Sequence, residues 1–235
     1  MRIAIIGAME DEASLLKERM QLEETVSLVG RDCLVGTLAG IEVIVTVCGV
    51  GKVNAAICAQ ALIDRFAIDS LVFTGVAGSL DASLDIADVV VSTDCVQHDF
   101  DVAGLGFAPG VIPYQETSFF EADEQLRRTV VRAVREVAPT ATVREGRIAS
   151  GDQFVSDAAS KERIVSSFGA LCCEMEGAAV AQTAWLNGVP FVIVRAISDK
   201  ADGSAEMDYP TFKVRAANQS AAIIERTLEL LAVQS

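Results

Sequence analysis

The chain has 235 residues, 51% of them hydrophobic, with a formal net charge of −14 and a sequence isoelectric point near 4.5. That length suits one well-packed domain and is short for two. No linker, charge run, low-complexity segment or repeat divides it, so one domain over 1–235 is expected. The acidic balance, with no Lys/Arg cluster, argues against nucleic acid, anionic membranes and polyphosphates as partners.

The N-terminal stretch MRIAIIGAMEDE has too short an apolar run for a signal peptide, and no run reaches the ~20 apolar residues of a membrane span. Six cysteines (Cys33, Cys48, Cys58, Cys95, Cys172 and Cys173) form no C-x-x-C pair and have one histidine for company. Free buried thiols in a reducing cytoplasm are expected, with no zinc and no other metal.

Taken in chain order, residues 2–7 (RIAIIG) read as a buried strand and 10–20 as a helix with Leu15, Leu16 and Met20 inward. Three short strands follow at 26–29, 33–38 and 42–48, punctuated by Gly30, Gly36 and Gly40 as in antiparallel hairpins. An Ala-rich helix spans 52–66, and 70–74 and 88–93 are again buried strands. Residues 121–137 form an amphipathic helix with Leu126, Val130, Val134 and Val137 on one stripe.

A strand at 142–150, a helix at 158–168, a strand at 171–174 and a small-residue helix at 177–187 come next. The last strand is 190–197, and a helix over 209–233 closes the chain with Ala217, Ile224, Leu228 and Leu231 inward. This alternation predicts a three-layer α/β/α sandwich around a mixed central sheet.

Ligands of such sheets bind beyond the carboxyl ends of strands, so the residues there carry the search. Gly49-Val50-Gly51-Lys52 and Gly75-Val76-Ala77-Gly78 read as Gly-rich turns after strands. Either is a tight turn or a place where backbone approaches a ligand. Neither matches a dinucleotide or P-loop fingerprint, so no nucleotide cofactor is indicated.

Glu12 shares a helix face with Leu15, Leu16 and Arg19, although Glu10 and Asp11 already satisfy the helix N-terminus. Glu174 and Glu176 flank Met175 in an apolar stretch, where a carboxylate is costly unless paired or working. Their oxygens suit a sugar's vicinal hydroxyls, or Glu176 is a helix N-terminal acid. Asp199 ends the apolar strand FVIVRAIS, four residues after Arg195. It is a functional acid, an ion-pair partner of Arg195 or an N-cap. His98 has no second histidine and reads as structural.

The stretches GAMEDE at 7–12, GVGKVNAA at 49–56, TGVAGSL at 74–80, HDFDV at 98–102, SGDQFV at 150–155, EMEGAAVA at 174–181 and RAISDKAD at 195–202 together resemble one family. It is the 5′-methylthioadenosine/S-adenosylhomocysteine nucleosidases, of the nucleoside phosphorylase superfamily. The resemblance implies hydrolysis of the N-glycosidic bond with Asp199 as acid at adenine N7, steadied by Ser198. Glu12 would activate the water, with Arg195 helping to hold it. Glu176 would grip the ribose 2′- and 3′-hydroxyls beside the Met175 backbone.

The resemblance also implies that Phe154 stacks on the purine and that the Val155 backbone reads its N1 and 6-amino group. Met9, Val50 and Tyr209 would line the ribose and alkylthio part. It implies a homodimer in which Val102, Leu105, Phe107 and Pro113 complete the neighbour's pocket, and no cofactor. Two positions depart from the family pattern: Val76 stands where serine is usual, beside the water, and Tyr209 where phenylalanine is usual. Phosphorylase relatives carry an arginine in the first turn; here that turn is Ala8-Met9-Glu10, which favours water over phosphate. The alternatives are a 6-amino-6-deoxyfutalosine hydrolase, a phosphorylase, and a nucleoside sensor without turnover.

Overall fold

The computed structural model describes residues 1–233, with the side chains of all but Met207, Lys213 and Val214. The last two residues of the expected 1–235 domain lie outside it. The elements run β1 (Arg2–Gly7), α1 (Glu10–Arg19), β2 (Gln21–Leu28), β3 (Arg31–Leu38), β4 (Ile41–Val47), α2 (Lys52–Phe66), β5 (Ser70–Ser79) and β6 (Val89–Gln97). A single 3-10 turn at Ala103–Leu105 precedes β7 (Phe120–Glu121), α3 (Glu124–Val137) and β8 (Val143–Ser150). Then come α4 (Ala158–Phe168), β9 (Cys172–Glu174), α5 (Gly177–Leu186), β10 (Phe191–Asp199) and α6 (Ala205–Ala232).

The two-residue period of a strand divides the core between two faces of one sheet. From β1, Ile3 and Ile5 pack with Leu16 of α1, Val130 and Val134 of α3, and Ile224 and Leu228 of α6. Ala4 and Ile6 point the other way, toward Ala55, Ala59 and Leu62 of α2 and Ala178, Ala181 and Ala184 of α5. The layering is the α/β/α arrangement expected, with parallel and antiparallel pairs mixed in one sheet.

The sheet also curls. β5 pairs with β10 on one side and β9 on the other, and β10–β6, β6–β8 and β8–β9 pairings close a five-strand ring. From β5 the remaining strands extend as an open wing in the order β1, β4, β3, β2. Closure leaves no free edge in the ring and brings the ends of β5, β8, β9 and β10 together.

Several expectations change in detail. Residues 75–78 are not a turn: they lie inside β5, paired with β10 through Gly75–Arg195 and Gly78–Asp199. Pairing with the buried strand β10 along 75–78, joined by β9 at Gly78, keeps the strand extended through its glycines. Asp199 likewise lies within β10, after a register shift between Ile197 and Asp199. Phe120–Glu121 pairs with β6 and delays α3, whose N-cap Asp123 accepts from the Leu126 N–H at 2.8 Å. Arg19 faces solvent and pairs with Glu225 at 2.5 Å rather than sharing the buried face of Glu12.

Candidate active site

A cavity open at its mouth lies at the strand ends. Glu12, Glu174, Glu176 and Asp199 contribute carboxylates to its wall, beside Met9, Val50, Val76, Phe154, Val155, Met175, Ser198 and Tyr209. Among the described residues its lining contains no Lys, Arg or His. Arg195, expected at the site, is buried behind the lining rather than in it.

Glu12 lies in the first turn of α1 but faces inward, 3% exposed. One carboxylate oxygen accepts the Ala8 and Met9 N–H groups at 2.6 and 2.9 Å, and the other accepts the Val76 N–H at 3.1 Å. Burial raises its pKa, opposed by the Arg195 charge and these three bonds. Gly75 makes room for it: a Cβ there would stand 2.6 Å from a Glu12 oxygen.

Asp199 is 2% exposed, at the tip of β10. Its Oδ1 accepts the Ala201 N–H and its Oδ2 the Ser198 hydroxyl, both at 2.8 Å. Burial raises its pKa; the two hydrogen bonds oppose this, while the negative charges of Asp208 and Asp202 add to it. Gly78 clears its space, since a Cβ there would lie 2.7 Å from Oδ1. The neighbours of the two carboxyls therefore differ in sign. Glu12 has the Arg195 cation as its charged neighbour and Asp199 has the Asp202 and Asp208 anions.

Arg195 lies over the Phe73 ring at 4.1 Å and donates from Nη2 to Glu174 at 2.6 Å. Its Nη1 donates to the Val194 and Phe73 carbonyls at 3.1 and 3.3 Å. Glu174 is equally occupied. Besides Arg195 it accepts the Ser150 hydroxyl and the N–H groups of Glu176 and Gly177, the latter at 2.7 Å. It lines the cavity, but its oxygens are spent on this buried frame.

Glu176 is the freer of the pair. Its Oε1 accepts the Gly51 N–H at 2.7 Å, at the start of α2. Burial and the charge of Glu174 push its pKa up to about 8. The Gly51 position requires glycine, with φ at +96°.

The apolar end joins Met9, Phe154 and Tyr209. The Tyr209 hydroxyl donates to Met9 Sδ at 3.2 Å, and its ring meets Phe154 edge-on at 5.8 Å. Val76 packs with Ala196, Ala216, Met9 and Tyr209, which makes this part of the wall aliphatic.

Val102, Leu105, Phe107 and Pro113 do not line this cavity. They lie along the segment containing the 3-10 turn, where Leu105 is 73% exposed. Ala8, Ala77, Gly78, Gln153 and Cys173 also line the cavity, though none of them was expected as a site residue in its own right. All but Cys173 fall in strand-end stretches worth searching. Cys173 looked like one more buried thiol, and burial does raise its pKa. Ser150, the partner of Glu174, stood out in sequence only as the strand-end residue that opens the SGDQFV stretch. His98 is partly buried, with Nε2 lacking a hydrogen-bond partner. No helix of the described residues is long and apolar enough to cross a membrane, and none of their His, Cys, Asp and Glu side chains cluster to hold a metal ion.

A sequence model of the phosphorylase superfamily matches residues 2–229. The chain is 39% identical to a 5′-methylthioadenosine/S-adenosylhomocysteine nucleosidase of Staphylococcus aureus, over 97% of this chain and 100% of that protein. The structure of the nucleosidase of that name from Neisseria meningitidis, in complex with methylthio-immucillin-A, superposes with a TM-score of 0.93. It shares 38% identity and covers 97% of this chain and 99% of that one. A futalosine hydrolase of Helicobacter pylori aligns with a TM-score of 0.92 at 35% identity, over 98% of each chain. The chain therefore belongs to the 5′-methylthioadenosine/S-adenosylhomocysteine nucleosidase family of the phosphorylase superfamily.

Proposed function

We propose that this protein is an N-glycosyl hydrolase that cleaves 5′-methylthioadenosine and S-adenosylhomocysteine to adenine and the 5′-thio-ribose. One observation carries the choice of hydrolysis: the cavity wall holds four carboxylates and, among the described residues, no cation. With no Lys, Arg or His among its described residues, such a wall offers phosphate no countercharge. It favours the positive charge that develops on the ribosyl group as the base departs.

In this reading Asp199, protonated, donates to adenine N7, and the N9–C1′ electron pair leaves with the base. Ser198 keeps the Asp199 carboxyl oriented. Glu12, ionised and fixed by three backbone N–H groups, takes a proton from the water whose oxygen bonds to C1′. Arg195 acts from behind the wall, as the positive charge that opposes the rise in the Glu12 pKa caused by burial. Glu176 accepts the ribose hydroxyls beside Met175, while Glu174 holds Arg195. Phe154 and Val155 take the purine; Met9, Val50, Val76 and Tyr209 take the sugar and thioether. The chemistry calls on no organic cofactor.

The test is adenine release from methylthioadenosine in phosphate-free buffer. Turnover should proceed at full rate; a strict phosphate requirement would show the chain to be a phosphorylase. The Helicobacter relative supports a second reading, hydrolysis of 6-amino-6-deoxyfutalosine. Comparing kcat/KM on the three nucleosides separates the two.

We further propose that the chain folds as one nucleosidase domain and works as a homodimer in the cytoplasm, in methionine salvage. The six free buried cysteines suit a reducing compartment. Val53 and Ile57 on α2, with Leu186 and Leu105, are large apolar side chains left exposed, as a self-complementary interface requires. Val102, Phe107 and Pro113 would reach the neighbour's cavity from the same region.

A further inference from the structure

Helix α2 begins at the cavity, yet it supplies no acid of its own to its first turn and its N-cap, Gly51, has no side chain. Two carboxylates from elsewhere in the chain fill that role. Glu176 accepts the Gly51 N–H at 2.7 Å, and Asp152 accepts the next one, of Lys52, at 2.8 Å. Asp152 is itself held, because its N–H donates to Asp99 Oδ2 at 2.9 Å. The other oxygen of Asp99 takes the Lys52 ammonium at 2.5 Å, and that ammonium also donates to Gln97 at 2.9 Å.

These bonds close a loop. Lys52 leaves α2 through its side chain to Asp99, Asp99 holds the Asp152 backbone, and the Asp152 carboxylate returns to the Lys52 backbone. Three segments are joined: the start of α2, the turn after β6 and the turn after β8. Gly51 sits directly against the loop, and a Cβ there would come 3.1 Å from Asp152 Oδ1. The turn after β8 continues into Gln153, Phe154 and Val155 of the cavity wall.

We infer that Lys52, Asp99 and Asp152 form a positioning clamp that aims the Gly51 N–H at Glu176 and thereby sets recognition of the ribose hydroxyls. The inference rests on the reading of Glu176 as the hydroxyl acceptor. A carboxylate with one oxygen fixed by Gly51 presents the other at a defined angle. Released, it rotates, and binding of the diol loses its preorganisation. None of the three clamp residues has to touch substrate, so their loss should appear in sugar discrimination rather than in the chemistry at N7.

The experiment compares kcat/KM for 5′-methylthioadenosine with that for its 3′-deoxy analogue, in the wild type and in Asp152→Ala, Asp152→Asn, Lys52→Met and Glu176→Gln proteins. Taking the ratio cancels intrinsic differences between the substrates. Asp152→Ala and Lys52→Met should lower the ratio about 3- to 10-fold, mainly through KM of the ribonucleoside, the loss expected for misaligning one hydrogen bond. Asp152→Asn keeps an acceptor for the Lys52 N–H and should retain most of the ratio.

Parallel losses on both substrates, or an unchanged ratio in Asp152→Ala and Lys52→Met, overturn the clamp. The two variants break different sides of the loop, so one that fails to fold leaves the other to decide. A ratio that falls in Glu176→Gln but not in the clamp variants overturns the clamp alone. A ratio unchanged in Glu176→Gln removes the role of Glu176 and the clamp with it.

Discussion

Gly75→Ala tests whether the space beside Glu12 matters. The added Cβ would lie 2.6 Å from a Glu12 carboxylate oxygen and 3.3 Å from Arg195 Nη1. Glu12 cannot simply swing aside, because three backbone N–H groups hold it at 2.6 to 3.1 Å. Nor can the strand yield easily, since Gly75 is paired with Arg195 of β10 and the next N–H, of Val76, is itself one of the donors to Glu12. Relief of the contact therefore costs about one hydrogen bond to a charged group, roughly 1.5–3 kcal/mol.

If that cost falls on the orientation of the base, kcat drops about 10- to 150-fold. Overpacking should also reduce stability by about 1–3 kcal/mol. Initial rates of adenine release under saturating nucleoside measure the first, and urea unfolding of the same protein measures the second. A Gly75→Ala enzyme with wild-type kcat would falsify the claim that this glycine exists to seat Glu12. A stability loss with unchanged kcat would do the same.

Asp199→Asn keeps an acceptor for the Ala201 N–H, so its thermal unfolding should match wild type while adenine release falls at least ~10²-fold; substantial turnover would move the acid elsewhere. The rate profile of the wild type should be a bell. Activity is lost on the acid side as Glu12 takes up a proton and on the alkaline side as Asp199 gives one up, both groups having pKa values raised by burial. Asp199→Gln or Asn proteins that retained the alkaline limb would contradict that assignment.

Glu176 has a pKa of about 8 when folded against 4.5 ordinarily, so the folded state holds the extra proton between those values. Its contribution to stability is present in full below 4.5 and is lost as pH rises to about 8. Glu176→Gln should flatten that part of the unfolding free energy against pH, and an identical slope would refute it. Ile57→Glu should convert a dimer to monomer in sedimentation velocity; an unchanged sedimentation coefficient would remove α2 from the interface.

Much of the architecture was legible in sequence because local rules govern it. Helices α2 and α4 fall where the patterns at 52–66 and 158–168 put them. Strand patterns identified β1 and β8 nearly to the residue. The carboxylates Glu12, Glu174, Glu176 and Asp199 stood out because acids inside apolar runs are costly. Their roles came from the family resemblance rather than from spacing.

What the chain order determined by itself was the set of elements and the short list of misplaced acids, since periodicity and burial cost act between near neighbours. What only the tertiary structure decided was the division of labour among them. Glu174 was expected as a sugar ligand, but its oxygens are committed to Arg195, Ser150 and two backbone N–H groups from separate elements. Arg195 was expected in the site, but ring closure of the sheet puts it behind the wall. The Gly-rich stretch at 75–78 read as a turn, yet its glycines are strand residues emptied of side chain so that Glu12 and Asp199 fit. Each outcome depends on atoms far apart in sequence meeting at contact distance, and no local pattern encodes that.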